Sequence, residues 1–181
     1  MAAWKHAAAT AAVCICLGPE WAQAISANFS FVGTFNQDDD VQLFNFTADG
    51  SSTVTLRSYG YAGGTQADGN VVPAGGFDPI LSLFDGAGNL IADQDDAGDD
   101  GNVVPADPVT GRRFDVLFDQ ILAAGAYTVA ISQFNNFAIG PTLLNGFARQ
   151  GEGNFTGFDC SVPGGSFLDT GFGDCHQRTN A

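Results

Sequence analysis

Residues 77–92 read FDPILSLFDGAGNLIA and contain the clearest strand–turn–strand pattern of the chain. Two apolar runs, residues 80–84 and 90–92, flank the sequence Asp-Gly-Ala-Gly-Asn at residues 85–89. Glycine and asparagine suit tight turns because they adopt left-handed backbone conformations at little cost. The stretch therefore predicts an antiparallel β-hairpin.

Segments with a period of two occur on both sides of this hairpin. Apolar and polar residues alternate around residues 28–35, 42–47, 53–57, 114–118 and 126–132. Aromatic and β-branched residues are frequent in them, and the chain after residue 24 has no convincing helical period. The pattern predicts an all-β fold, an antiparallel β-sandwich of the jelly-roll type.

Two segments lack this alternation of apolar and polar residues. Residues 62–76 are polar and rich in glycine, which predicts a long loop. Residues 146–181 are also rich in glycine and contain Cys160 and Cys175, so we expect an irregular C-terminal flap pinned by a disulfide. A zinc site is less favoured, because this corner offers only His176 as a further nitrogen ligand.

Residues 1–24 have the features of a secretory signal peptide. Lys5 and His6 precede an apolar run over residues 7–18, and the sequence Ala-Gln-Ala at residues 22–24 fits a cleavage site. A membrane anchor is the alternative interpretation, but this apolar run is too short to span a bilayer. We therefore expect a secreted protein with one domain over residues 25–181.

The composition is strongly acidic. The formal net charge is −14, from 6 Lys and Arg against 20 Asp and Glu. Nucleic-acid binding requires a basic surface that neutralises phosphates, so this class of function is disfavoured.

A dense run of aspartates follows the predicted hairpin. Its members are Asp93, Asp95, Asp96, Asp99 and Asp100. Neighbouring carboxylates repel one another unless water separates them or a cation lies among them. Calcium, which prefers oxygen ligands, is the simplest cofactor, with Asp78 and Asp85 as candidate extra ligands. The alternative is a solvated acidic loop without an ion; the spacing does not fit an EF-hand, another kind of calcium site. A second run over residues 38–40 predicts only a turn.

Catalytic arrangements are poorly supported. A Ser-His-Asp or Cys-His centre needs a histidine base, and His176 is the only histidine after residue 24, next to Cys175. A carboxylate-dependent glycoside hydrolase is the remaining enzymatic alternative, but the abundance of aspartates makes any pair uninformative. We therefore expect a protein that is not an enzyme.

The middle of the chain resembles the bacterial pre-peptidase C-terminal (PPC) domain, a secreted β-sandwich found beside extracellular proteases. The likeness rests on residues 77–85 with the turn and hairpin return that follow, on the Asp95-Asp96 pair, and on residues 122–131, LAAGAYTVAI. It implies a non-catalytic β-sandwich.

A closer likeness is to uncharacterised exported bacterial proteins with a Gly-Gly-Phe-Asp-Pro motif, here residues 75–79. Their pattern continues with Ser-Gln-Phe-Asn-Asn at residues 132–136 and Gly-Phe at residues 146–147, and many carry a PEP-CTERM sorting tail. The likeness spans roughly residues 28–178. This likeness predicts a Trp-containing last strand and a sorting tail after Arg178. Neither follows in the sequence, so either the sheet edge is closed in another way or this copy is truncated.

These features together predict a secreted, calcium-binding structural or adhesive domain at the cell surface or in the extracellular matrix. The alternative is a polysaccharide-binding module that uses a loop at residues 135–137, Asn-Asn-Phe. The expected partners are extracellular polysaccharide or a surface protein, without nucleic acid and without a membrane span in the secreted chain.

Overall fold

The computed structural model describes residues 27–97, 103–170 and 175–180. The predicted signal peptide and two of the predicted ligands, Asp99 and Asp100, lie outside these ranges. The described part is dominated by antiparallel β-structure and contains only one five-residue α-helix and one 3-10 turn, which confirms the predicted all-β fold. No helix of this part is long and apolar enough to cross a membrane.

In the described residues, eight strands form three antiparallel sheets. The elements are β1 (Gln42–Ala48), β2 (Ser52–Arg57), β3 (Gly64–Thr65), β4 (Val71–Val72), β5 (Pro79–Asp85), β6 (Leu90–Asp95), β7 (Leu117–Leu122), β8 (Gly125–Gln133), the 3-10 turn (Leu143–Asn145) and α1 (Phe155–Asp159). The largest sheet has the order β1-β8-β5-β6, while β2 pairs with β7 and β3 with β4.

The predicted hairpin forms the centre and one edge of the four-stranded sheet. β5 pairs with β6 on one side and with β8 on the other, and six of its seven residues are buried. The Asp85 carboxylate closes the turn, because it accepts hydrogen bonds from the backbone N–H groups of Ala87 (2.9 Å) and Asn89 (2.8 Å).

Side chains of the four-stranded sheet and of the β2–β7 sheet join in one hydrophobic cluster. Its buried members are Phe46, Ala48, Leu81, Leu83, Val116, Leu122, Tyr127 and Val129. Burial of a leucine or valine side chain of this kind contributes roughly 1.5–3 kcal/mol each.

Three details of the predicted strand pattern are wrong. Residues 29–35 form no strand; instead the Phe31 ring stacks on Phe44 (4.8 Å between centroids) and Phe29 lies against Phe46 (6.1 Å). Ring contacts thus replace the backbone ladder that an alternating pattern normally indicates. The strand expected at residues 114–118 begins only at Leu117, and the loop expected at residues 62–76 contains the short β3–β4 pair.

The C-terminal flap, defined here as residues 146–170 and 175–180, carries the predicted disulfide. Cys160 and Cys175 are bonded, with 5.9 Å between their Cα atoms. On the chain-entropy account, closing a loop of this length stabilises the fold by about 3 kcal/mol.

A buried aspartate anchors this flap to the rest of the fold. Asp38, which is fully buried, accepts hydrogen bonds from the backbone N–H of Phe167 (2.6 Å), the backbone N–H of Thr156 (2.8 Å) and the Thr156 hydroxyl. The run at residues 38–40 therefore does more than form the turn that its sequence predicts.

A buried ion pair fixes the end of the flap. The Arg178 guanidinium lies 3.1 Å from the Asp107 carboxylate and donates hydrogen bonds to the carbonyl oxygens of Gly76 (2.9 Å) and Tyr61 (2.8 Å). It also lies 4.0 Å from the centre of the Tyr61 ring. All of these polar groups are satisfied by one another, as burial requires.

We predict that Asp38→Ala lowers the free energy of unfolding by about 3 kcal/mol, because the buried donors of Thr156 and Phe167 lose their acceptor. Urea unfolding checks this. Asp119→Ala serves as the control, since Asp119 is exposed and accepts one hydrogen bond, from Thr55; its effect should stay below about 1 kcal/mol. Equal losses in the two variants would contradict the anchoring role.

Candidate metal site

Three aspartates meet where β5 begins and β6 ends. Asp78 immediately precedes β5, Asp95 is the last residue of β6, and Asp96 follows it. The antiparallel register pairs Asp95 with Ile80, which brings these positions to the same end of the sheet. One carboxylate oxygen from each aspartate lies within 4.8 Å of the other two.

These carboxylates contain buried oxygens that accept no hydrogen bond. The Oδ1 atoms of Asp78, Asp95 and Asp96 are all buried and have no donor within the described residues. Asp78 as a whole is only 5% exposed. A buried carboxylate oxygen without a donor destabilises the folded state, because it has lost its hydrogen bonds to water and has formed no others.

A fourth oxygen in the same condition belongs to Gln133 at the end of β8. Gln133 is 2% exposed, and its Oε1 atom has no donor within the described residues. The residue is the register partner of Pro79, which follows Asp78 directly. The orphaned amide oxygen thus belongs to the strand next to β5, and the alternation of side chains places it on the other face of the sheet from Asp95, the partner of Ile80.

The backbone at the end of β6 is held in an unusual conformation. Asp96 has a φ of 38°, which is rare for a residue other than glycine. The Gln94 side-chain amide donates to the carbonyl oxygens of Asp95 and Asp96, each at 3.0 Å. Backbone strain of this kind persists only where neighbouring groups enforce it. Here it places two consecutive carboxylates beside Asp78.

Burial and mutual repulsion raise the pKa values of this cluster. Burial, followed by the charges of Asp95 and Asp96, raises the pKa of Asp78 well above its usual range. Burial and then the charge of Asp93 raise the pKa of Asp95 to about 6. Burial and then the charge of Asp95 raise the pKa of Asp96 to about 7. Without a cation the group therefore tends to hold protons near neutral pH.

Two further buried aspartates surround the cluster, and sequence reasoning missed both. The Asp115 carboxylate accepts hydrogen bonds from Ser58 Oγ (2.8 Å) and from the backbone N–H of Ala62 (2.8 Å). Asp169 accepts one from the Tyr61 hydroxyl (2.6 Å). Their charges also contribute to the raised pKa values of Asp78 and Asp96. Each stands alone in the sequence, so no local pattern could have identified it.

The structure divides the predicted ligand set. Asp78, Asp95 and Asp96 come together, whereas the Asp93 carboxylate accepts a hydrogen bond from Ser82 Oγ at 2.7 Å. Asp93 lies two residues before Asp95 on the strand, which displaces it by about 7 Å along β6. Asp85 is committed to its own turn.

The chemistry of the donors favours a hard divalent cation. The cluster contains carboxylate oxygens, an amide oxygen lies on the adjoining strand, and no described histidine or cysteine belongs to the group. Calcium accepts such oxygen ligands in flexible geometries, whereas magnesium demands a near-ideal octahedron. Zinc prefers nitrogen and sulfur.

The loop suggested as a polysaccharide contact has a structural role at its centre. Asn136 is fully buried; its side-chain amide donates to the carbonyl of Asp39 (3.1 Å), and its Oδ1 atom accepts from the backbone N–H of Arg149 (2.8 Å). Phe137 packs edge-on against Phe134, with 6.2 Å between ring centroids. Asn136 therefore joins three segments and is not presented to a ligand.

Comparison of the chain with models of protein families, with curated proteins and with solved structures returned no match.

We predict that the calcium-free protein becomes more stable as the pH falls from 8 to 5. The folded state binds protons at Asp95 and Asp96 more tightly than the unfolded state, whose aspartates have pKa values of about 3.9. Stability is therefore gained as the pH falls through about 7 and 6 and is lost as it rises again. Thermal unfolding in EGTA at several pH values measures this.

Asp96→Asn should reduce this pH dependence, because the amide does not titrate, while the part due to Asp78 and Asp95 should remain. The pKa values of Asp85 and Asp107 are lowered, so these two carboxylates become protonated, and the protein loses the stability they contribute, only at lower pH. A melting temperature that falls steadily between pH 8 and pH 5 would contradict the prediction.

Proposed function

We propose that this protein is a secreted, non-catalytic domain that binds calcium and acts as a structural or adhesive module at the cell surface or in the extracellular matrix. The observation that carries the proposal is the group of three buried carboxylate oxygens without donors, on Asp78, Asp95 and Asp96, at one end of the four-stranded sheet.

A calcium ion would compensate the negative charges of the three carboxylates at this end of the sheet. Three carboxylates held within 4.8 Å of one another either take up protons or bind a cation. A divalent cation compensates two charges at once and supplies a partner to every orphaned oxygen. A carboxyl proton donates only one hydrogen bond, so protonation would leave several of these carboxylate oxygens without a donor.

The position of the site favours a structural role for the ion. Its candidate ligands belong to the start of β5 and the end of β6, so a bound cation connects two adjacent strands of one sheet. The oxygens are buried, which encloses the ion within the protein. An ion in this position stabilises the fold as a cross-link does, and its binding energy adds to folding stability.

Other features support secretion. The sequence of residues 1–24 has the pattern of a signal peptide, and the Cys160–Cys175 disulfide is of a kind that persists in oxidising compartments. Calcium sites of extracellular modules are typically weak, with dissociation constants of about 10⁻⁴–10⁻³ M. The PPC-like motifs and the pairing of two sheets around one cluster accord with a β-sandwich of that family.

A polysaccharide-binding module is the second candidate function, with its candidate site on a different surface from residues 135–137. A groove of about 460 Å³ lies between the turn at residues 37–40 and the segment at residues 143–150. Amide and carboxylate groups line it together with aliphatic side chains, the mixture that sugar recognition uses. Retention on an array of bacterial and plant glycans would support this function, and a blank array would contradict it.

We predict that 5 mM calcium raises the melting temperature by about 2–9 °C relative to EGTA, since a concentration of about 5 to 50 times the dissociation constant contributes about 1–2.3 kcal/mol. Magnesium should have a smaller effect. The double variant Asp95→Asn, Asp96→Asn should lose the calcium shift, while Asp119→Asn should retain it. Calorimetric titration measures binding directly; no heat and no shift at millimolar calcium would refute the proposed site.

A further inference from the structure

Strand β2 has an open outer edge. Within the described residues it pairs with β7 alone. Ser58, the residue after β2, donates its backbone N–H to the carbonyl of Val116 at 3.0 Å, and the same register continues along the strand. Because bonded and non-bonded pairs alternate in an antiparallel ladder, the backbone N–H and C=O groups of Thr53, Thr55 and Arg57 point away from β7. All three residues are exposed, so the edge presents its donors and acceptors to a further strand.

The edges formed by β1, β6 and β7 are better protected against a further strand. β6 carries Asp93 and Asp95, and β7 carries the exposed Asp119. The segment that contains Phe29 and Phe31 packs its rings against β1. Charged side chains and covering segments are the usual protection of a sheet edge. β2, with the sequence Ser-Thr-Val-Thr-Leu-Arg, has no acidic residue and no proline and is rich in strand-forming residues, so pairing is least opposed there.

The β2 edge is complementary to the same edge of a second copy. When two copies pair antiparallel about a two-fold axis at Thr55, the two Thr55 residues lie opposite each other, and Thr53 lies opposite Arg57 of the second copy. Each of these residues has outward backbone groups, so the two edges form about six hydrogen bonds. Opposed threonines are also a favourable cross-strand pair.

The same pairing joins the apolar faces of the two strands. Val54 and Leu56 pack against the main hydrophobic cluster but are only half-buried at the edge of the sheet. In this register Val54 lies opposite Leu56 of the second copy. Their contact removes further apolar surface from water, which favours association.

Charge favours the β2 edge over that of β7. Each copy carries a formal net charge of −14, so two copies repel one another in general. A two-fold pairing of β7 about its centre places two Asp119 carboxylates directly opposite each other, which is destabilising. The only charge of β2 is Arg57. The proposed register places it on the same face as Asp119 of the second copy, two strands away and about 12 Å distant between Cα atoms.

We propose that the protein forms a two-fold dimer in which the β2 strands of two copies pair antiparallel about Thr55 and join their two-stranded sheets into one sheet of four strands. β2 belongs to a different sheet from the candidate metal site, so this inference does not depend on calcium binding. Interfaces that bury less than about 1,200 Å² are weak, and two short edges belong to this class. We therefore expect a dissociation constant of about 10⁻⁴ M.

Amide hydrogen exchange, measured by NMR at about 0.02 mM and about 1 mM protein, tests which groups pair. At this affinity we expect the amides of Thr53, Thr55 and Arg57 to exchange about fourfold more slowly at the higher concentration. The amides of Val54 and Leu56 face β7 in both states and serve as internal controls that should not change. Slow exchange of the outward amides at both concentrations would assign the edge to a segment of the same chain, such as residues 29–35, and would overturn the proposal. Fast exchange at both would overturn it too.

The variants Thr53→Glu and Thr53→Lys test the register by sedimentation equilibrium. Since residue 53 lies opposite Arg57 of the second copy and the pair occurs twice, we expect glutamate to tighten the dimer about fivefold and lysine to weaken it about as much. A general charge effect gives the reverse order, because glutamate adds to the negative charge of each copy and lysine reduces it.

That reverse order, or a wild type that stays monomeric at about 1 mM, would contradict the dimer. A mass that grows beyond two copies would indicate head-to-tail pairing of β2 with β7 and would also overturn the two-fold arrangement. Residue 53 is exposed, so both variants should fold, which circular dichroism checks. If either does not, hydrogen exchange of the wild type still decides.

Discussion

The constraint on which this structure depends is the burial of carboxylates in a chain with few cations. Asp38, Asp78, Asp107, Asp115 and Asp169 are each at most 5% exposed, in a protein whose formal net charge is −14. A buried charge without compensation costs several kcal/mol. Each of these aspartates therefore needs a nearby group that compensates its negative charge.

The protein compensates most of them with its own donors. Asp38 takes backbone N–H groups of the flap, Asp107 takes the Arg178 guanidinium, and Asp115 takes a hydroxyl and two backbone N–H groups. Each of these arrangements joins segments that are far apart in sequence, so the carboxylates act as fasteners between loops and strands. Asp78, with Asp95 and Asp96, is different, because its neighbours are other acceptors.

This contrast links stability to function in the proposed domain. Most buried side-chain oxygens of the described residues have a donor, with Gln66 Oε1 and Gln133 Oε1 as further exceptions, so three unsatisfied carboxylate oxygens in one group indicate a partner from outside the chain. A cation there would join the start of β5 to the end of β6 and would stabilise the fold.

The sequence by itself determined the β-class, the hairpin of β5 and β6, the disulfide and the proximity of Asp95 to Asp96, because alternation, turn chemistry and cysteine count are local signals. It could not separate Asp93 from Asp95, since both belong to one run, nor show that residues 29–35 pack by their rings. Tertiary packing selected Asp78 over Asp85 from the candidate ligands and gave Asp38 its donors in the flap. Antiparallel register and flap packing join residues that are 17 to 129 positions apart, and no local pattern records such contacts.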